Sequence, residues 1–243
     1  EFILYYQPQI NINTMKVCGV EALLRWKSKK FGAVLPPYFI NTLEKTEKIK
    51  EVGEFVFEEA CKELNMLKNL EYSNLNMAVN ISGKQLEDES FLNFVKSVVK
   101  DKKVKTNFLC FELTERTLIS PTKPIIQSFN GIRNLGIKIY LDDYGIKNSS
   151  LDYLRQFTFD GIKIDKSFVS EITDSQKELI IAKNIVDLAN ELGIDSIAEG
   201  VEKEEQVKCL KRVGCKKVQG FFFARPMDSK NLLEFLKIFE ERG

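Results

Sequence analysis

Residues 137–141, Ile-Lys-Ile-Tyr-Leu, have the apolar character of a buried strand, which then breaks off at Asp142-Asp143-Tyr144-Gly145. The same pattern, an apolar run closing on polar side chains, recurs down the chain. Strands are predicted at residues 2–10 and 17–26, joined by the turn residues Asn11-Ile12-Asn13, and again at 76–82, 108–113, 160–164, 196–198 and 217–219. Helical periodicity falls between them, at 36–46 (opened by Pro36-Pro37), 52–69, 89–100, 124–135, 176–192 and 204–213, with a short helix from Ser149 and a last one from Ser229. Repeated strand-helix units imply a parallel sheet, either open and doubly wound or closed as a (βα)8 barrel.

Closure is favoured by where the polar groups fall: Glu21 and Arg25 on the second strand, then Asn80, Glu112, Asp142 with Asp143, Lys163, Glu199 and Gln219. An open sheet gathers ligands at one switch point, whereas a barrel brings all its strand ends around one mouth. Taken singly, each residue also reads as a solvent-facing strand position, a helix cap or a polar turn. Two tandem carboxylates at the end of an apolar strand repel each other and resist desolvation unless a cation balances them, so Asp142 and Asp143 read as metal ligands.

Composition narrows the chemistry. The 243 residues suffice for one large α/β domain, 1–243. Lys+Arg 36 against Asp+Glu 35 gives no basic field for a nucleic acid polymer. With no histidine in the chain, Ser-His and Cys-His catalysis and His-based zinc sites are excluded, which leaves carboxylates, lysine and hard cations with oxygen ligands. Five cysteines without metal-site spacing read as reduced thiols of a cytoplasmic protein. No apolar run is long enough to span a bilayer. The chain enters a strand directly from Glu1, the expectation for a domain cut from a longer protein whose other domains could carry a membrane anchor.

Glu21-Ala22-Leu23-Leu24-Arg25-Trp26 resembles the signature of the EAL-domain cyclic di-GMP phosphodiesterases. The agreement continues through Gln7-Pro8, Asn80-Ile81-Ser82, Glu112-Leu113-Thr114-Glu115, Asp142-Asp143-Tyr144-Gly145, Ile162-Lys163-Ile164-Asp165, Ala198-Glu199-Gly200-Val201-Glu202 and Gln219-Gly220-Phe221, in the family's order. The resemblance implies a modified (βα)8 barrel with one antiparallel strand, and metal-dependent hydrolysis of cyclic di-GMP to linear pGpG. Glu21, Asn80, Glu112 and Asp142 would hold a first Mg2+ or Mn2+, and Asp142 with Asp143 a second; Ca2+ would inhibit. Glu199 would be the general base, with Lys163 near the water and the phosphate and Glu21 counted with them as catalytic. Gln7, Arg25, Gln219 and Pro226 would contact substrate or the ligand shell.

After the paired aspartates the family commonly has Phe-Gly-Thr-Gly-Tyr-Ser-Ser-Leu, where this chain has Tyr144-Gly145-Ile146-Lys147-Asn148-Ser149-Ser150-Leu151. That loop contributes to the family's dimer contacts and is anchored by a glutamate matching Glu115. The implied partners are therefore cyclic di-GMP, a second copy of the chain, and a fused sensory or diguanylate-cyclase-like domain. The alternative is a catalytically silent cyclic di-GMP receptor; since every ligand and the base are matched, the enzyme is the expectation.

Overall fold

The computed structural model describes residues 1–70, 72–118, 121–145 and 152–241. The strands are β1 (Phe2–Asn11), β2 (Lys16–Ser28), β3 (Gly32–Val34), β4 (Asn76–Asn80), β5 (Leu109–Thr114), β6 (Lys138–Tyr144), β7 (Gly161–Ile164), β8 (Asp195–Ala198) and β9 (Lys217–Val218). They form one sheet in the order β1-β9-β8-β7-β6-β5-β4-β2-β3, and a further pairing of β1 with β2 closes it into a barrel. β1 runs antiparallel to both neighbours, with Leu4 opposite Leu24 and Ile10 opposite Val218. From β2 through β4 to β9 the pairings are parallel. The reversed strand expected from the resemblance is thus β1, the first arm of the opening hairpin.

Helices surround the ring: α1 (Pro36–Lys45), α2 (Ile49–Asn69), α3 (Gly83–Glu87), α4 (Phe91–Asp101), α5 (Lys123–Asn134), α6 (Asp152–Gln156), α7 (Lys166–Ser170), α8 (Gln176–Glu191), α9 (Glu204–Arg212) and α10 (Ser229–Glu241). The main core lies between ring and helices, where Phe57 meets Phe111 edge-on at 5.3 Å and Phe129 meets Phe157 at 4.7 Å. Inside the barrel a second small cluster, Ala78, Cys110, Tyr140 and Ile197, fills the floor beneath the mouth. Cys61, Cys110, Cys209 and Cys215 are buried, Cys18 is half-buried, and all five are free thiols.

The pattern reading missed three short elements. β3 arises because β2 overshoots the mouth and folds back, pairing Trp26 with Val34. α3 is set by a capping box in which the Ser82 hydroxyl accepts from the Gln85 N–H while the Gln85 side chain accepts from the Ser82 N–H. In α7 the Asp165 carboxylate accepts from the Ser167 N–H at 2.8 Å, so the polar end of strand β7 also starts a helix. The overshoot of β2 corrects one expectation: Glu21 lies in the interior of its strand, opposite Gln7 and level with Ala78, rather than at the strand's end. The altered segment Ile146-Lys147-Asn148 and its proposed dimer contact lie outside the described residues, as does the start at Ser149 expected for the short helix, which is described from Asp152 as α6. Among the described residues no helix is long and apolar enough to cross a membrane.

Candidate functional site

Parallel register brings the polar strand ends together. Asn80 sits opposite Glu112, Thr114 opposite Asp142, and Lys163 opposite Ile197, just before Glu199. At the centre is the Lys163 ammonium, its side chain only 1% exposed, 2.6 Å from Glu112 Oε2, 2.6 Å from Glu199 Oε1, 3.4 Å from Glu21 Oε2 and 3.6 Å from Asp142 Oδ1. Glu21 also accepts from Asn80 Nδ2 at 2.6 Å and from Gln219 Nε2 at 2.6 Å. Gln219 Nε2 reaches Gln7 Oε1 at 3.0 Å, and Gln7 Nε2 in turn donates to the Ala224 carbonyl.

Adjacent residues of a strand point to opposite faces, so an Asp-Asp pair should send one carboxylate away from the mouth. Here the ladder to β7 carries Leu141 opposite Ile162 but Tyr144 opposite Ile164, one residue too many on β6. Asp143 takes up the extra residue with φ +56°, in the left-handed region that non-glycine residues seldom enter. The bulge turns the second carboxylate toward the first, and oxygens of Asp142, Asp143 and Glu199 lie within 4.8 Å of one another. Gly200 does comparable work for Glu199. It has φ +70°, and a Cβ there would lie 2.4 Å from the Lys166 Cβ, so only glycine lets the chain turn this closely after the acid.

Four carboxyl groups thus face one ammonium, with Asp143 beside two of them, and the proton affinities in the cluster register the crowding. Burial pushes Glu112 well above the ordinary carboxylate range, with Glu21 adding to it. Burial, Asp142 and Asp165 raise Asp143 to about 6. Glu199 is pushed up to about 8 by burial and by Asp142 and Glu21, against the pull of Lys163. For Glu21 burial is outweighed by Lys163 and by the Gln219 and Asn80 donors, which hold it low. For Lys163 burial is likewise outweighed, by the surrounding carboxylates, which keep it charged. The donor set fits a hard divalent cation: it is all oxygen, it is over-supplied with negative charge, and Glu112 Oε1 is buried with no hydrogen-bond partner among the described residues. Asp142, Asp143 and Glu199 are the acids whose spacing already admits one.

Two hollows meet at this ring. A cavity of about 260 Å³ is lined by Gln7, Glu21, Asp142, Lys163, Glu199 and Gln219, among others. A larger groove of about 840 Å³ leads from Glu21, Asn80 and Glu112 past Arg25 toward Pro36 and Ile40. Arg25 is half-buried on that groove, with Nη1 on the Leu24 carbonyl at 2.9 Å and its guanidinium 5.9 Å from the Tyr5 ring. Among the described residues that line the two hollows Pro226 does not appear; it adjoins Met227, whose backbone bridges to Tyr6, while Arg225 lies over the Phe221 ring at 4.2 Å. Glu115 is buried in a turn of 3-10 helix after β5, and its Oε1 is unpartnered among the described residues. The segment it would anchor is not among them.

The sequence reading gave no role to Asp165, whose like charge helps raise the proton affinity of Asp143, to Lys166, which borders the smaller hollow, or to Gln9, whose Nε2 donates to Gln219 Oε1 at 3.1 Å. Gln9 had a signal: it stands two residues from Gln7 on a strand whose inward face is otherwise apolar. Gly220 is the tightest point, since a Cβ there would lie 2.0 Å from the Val201 carbonyl oxygen and 2.3 Å from its nitrogen. Gly220→Ala is expected to cost about 1–3 kcal/mol by forcing backbone apart. Differential scanning calorimetry should show a drop of roughly 2–4 °C per kcal/mol; an unchanged melting temperature would mean that the Gly220–Val201 contact relaxes freely.

The family model for the EAL domain matches residues 1–226. Cyclic di-GMP phosphodiesterase NbdA of Pseudomonas aeruginosa is 33% identical over 236 residues, 97% of this chain and 30% of the relative. The bifunctional diguanylate cyclase/cyclic di-GMP phosphodiesterase MucR of the same organism is 33% identical over 233 residues, 96% of this chain and 34% of the relative. The chain therefore spans about a third of the length of these curated relatives. A solved structure of the MucR phosphodiesterase in complex with cyclic di-GMP superimposes with a TM-score of 0.90 at 32% identity, covering 95% of this chain and 94% of that one.

Proposed function

The chain belongs to the EAL domain family, and from that premise we propose that it hydrolyses cyclic di-GMP to linear 5′-pGpG with the help of Mg2+ or Mn2+. The observation that carries the reading is the convergence of Glu21, Glu112, Asp142 and Glu199 on Lys163, with Asp143 turned in beside them. Glu21, Asn80, Glu112 and Asp142 would hold one cation, and Asp142 with Asp143 a second. Such a pair acidifies water and offsets the charge that develops on a phosphate under in-line attack.

The chain's own groups supply the rest. Water oxygen bonds to phosphorus, the P–O3′ bond breaks as the departing 3′ oxygen takes up a proton from solvent to become a hydroxyl, and the phosphate stays on the 5′ oxygen. Glu199, held at the mouth 2.6 Å from Lys163 and beside Asp142 and Asp143, takes the proton released by water. Lys163 keeps Glu199 and Glu112 in place through its two 2.6 Å contacts. Gln219 and Gln7 steady Glu21 and the Ala224 turn, which leads to Pro226. The groove past Arg25, about 840 Å³, is of a size that takes a drug-sized or dinucleotide ligand. Residues 1–243 are taken as one barrel domain of a longer signalling protein, the fused partner being suggested by MucR, and its pairing with a second copy through the segment after Asp143 rests on the family resemblance alone.

Separation of nucleotides after incubation with cyclic di-GMP tests the reading. With Mg2+ or Mn2+ the expected product is pGpG, abolished by EDTA. Ca2+ is expected to inhibit, because its larger, looser shell can occupy the carboxylates while acidifying water less. Full turnover in EDTA would sink the metal reading, and tight binding without turnover would favour the receptor.

A further inference from the structure

The inward face of β1 carries two glutamines, at positions 7 and 9, and the mechanism above uses only the first. Gln9 is 5% exposed, and its Nε2 donates to Gln219 Oε1 at 3.1 Å. Gln219 Nε2 donates onward, to Glu21 Oε2 at 2.6 Å and to Gln7 Oε1 at 3.0 Å. Donation therefore runs one way, from the barrel interior to Glu21. An amide is nearly the same shape after a 180° turn, so its direction is fixed by what faces each end. With Gln9 in place, a turned Gln219 would set NH2 against NH2 on one side and oxygen against the Glu21 carboxylate on the other.

The seat of Gln9 is built for it. Gly19 stands opposite Gln9 in the ladder between β1 and β2, and the register shifts between Gln9 and Ile10. A Cβ on Gly19 would lie 2.8 Å from Gln9 Oε1, so a glycine makes the room that the amide occupies. Burying an amide in a barrel costs free energy unless its bonds are made, and this one spends a bond on Gln219.

We propose that Gln9 is a positioning residue: it holds the Gln219 amide with its nitrogen toward Glu21, and through it holds Glu21 in the orientation that receives a divalent cation. This rests on the reading of Glu21 as a ligand. Groups that orient a metal ligand from behind are typically worth about 10–100-fold in metal affinity. Removing the donor at one remove, by Gln9→Met, is expected to weaken Mn2+ binding roughly tenfold, while kcat at saturating Mn2+ stays within about twofold of wild type.

The test is Mn2+ binding to the folded chain without substrate, by calorimetry or electron paramagnetic resonance, for wild type, Gln9→Met, Gln219→Met and the double variant, with melting curves confirming that each is folded. If Gln9 acts through Gln219, Gln9→Met weakens binding in the wild-type background and adds nothing once Gln219 is Met. A purely structural role would lower melting temperatures and leave the Mn2+ constant unmoved. Gly19→Ala, which presses on the Gln9 amide from the other side, should weaken Mn2+ binding in the same direction and serves where Gln9→Met does not fold. Wild-type affinity in both Gln9→Met and Gly19→Ala, or equal losses from Gln9→Met in both backgrounds, overturns the proposal alone; no Mn2+ binding by the wild type overturns the ligand reading and this proposal together.

Discussion

Glu199→Gln is expected to lower kcat by roughly 10²–10⁴-fold, the usual worth of a positioned general base, while cyclic di-GMP still binds. The substitution keeps the size and the hydrogen-bonding reach of the side chain and removes only its basicity. Its Oε1 contact to Lys163 at 2.6 Å can persist with the amide oxygen as acceptor, so the ring should stay assembled. Glu21→Gln differs in kind: weakening a metal ligand should also raise the Mg2+ or Mn2+ concentration needed for half-maximal rate. The two are separated by kcat and metal-activation curves measured together. A Glu199→Gln enzyme within a few-fold of wild type would remove this residue from the mechanism and leave water activation to the rest of the ring.

Lys163→Met should be the most damaging single change to the fold near the site. The ammonium is buried among Glu21, Glu112, Asp142 and Glu199, and a thioether leaves those carboxyls facing one another with nothing between them. Breaking a buried ion pair by removing one partner typically costs about 3–5 kcal/mol, which in a chain of this size corresponds to a melting temperature lower by about 10 °C. Some carboxyls escape the repulsion by taking up protons, so the loss should be greater at pH 8 than at pH 5. Mg2+ or Mn2+ should restore part of the stability, since a cation in the ring supplies the charge that was lost. Unchanged melting in Lys163→Met would mean that the ring does not depend on its lysine.

Much of this was legible in the residues. The alternation of strand and helix, the polar strand ends and the absence of histidine point to a barrel mouth built of carboxylates, while the one antiparallel strand came from the family resemblance and is seated in the opening hairpin. Three things were not legible, each for a physical reason. That Asp142 and Asp143 face the same way depends on a bulge, and period-two reasoning sends neighbours to opposite faces. That Lys163 lies at the centre of the acids, rather than outward, depends on barrel curvature, which no local pattern encodes. That Glu21 sits mid-strand depends on β2 overshooting the mouth to make the β3 hairpin. Gln9 shares a face with Gln7, but its role was not legible because its partner Gln219 is 210 residues away in the chain.

The central claim is that this ring of carboxylates directs water onto the phosphorus of cyclic di-GMP. Turnover in 18O-labelled water with Mn2+, followed by mass spectrometry of the product, addresses it most directly. The account predicts pGpG carrying one 18O per turnover, located on its terminal 5′-phosphate. Cyclic di-GMP recovered bound but intact, or a linear product without the label, would contradict it.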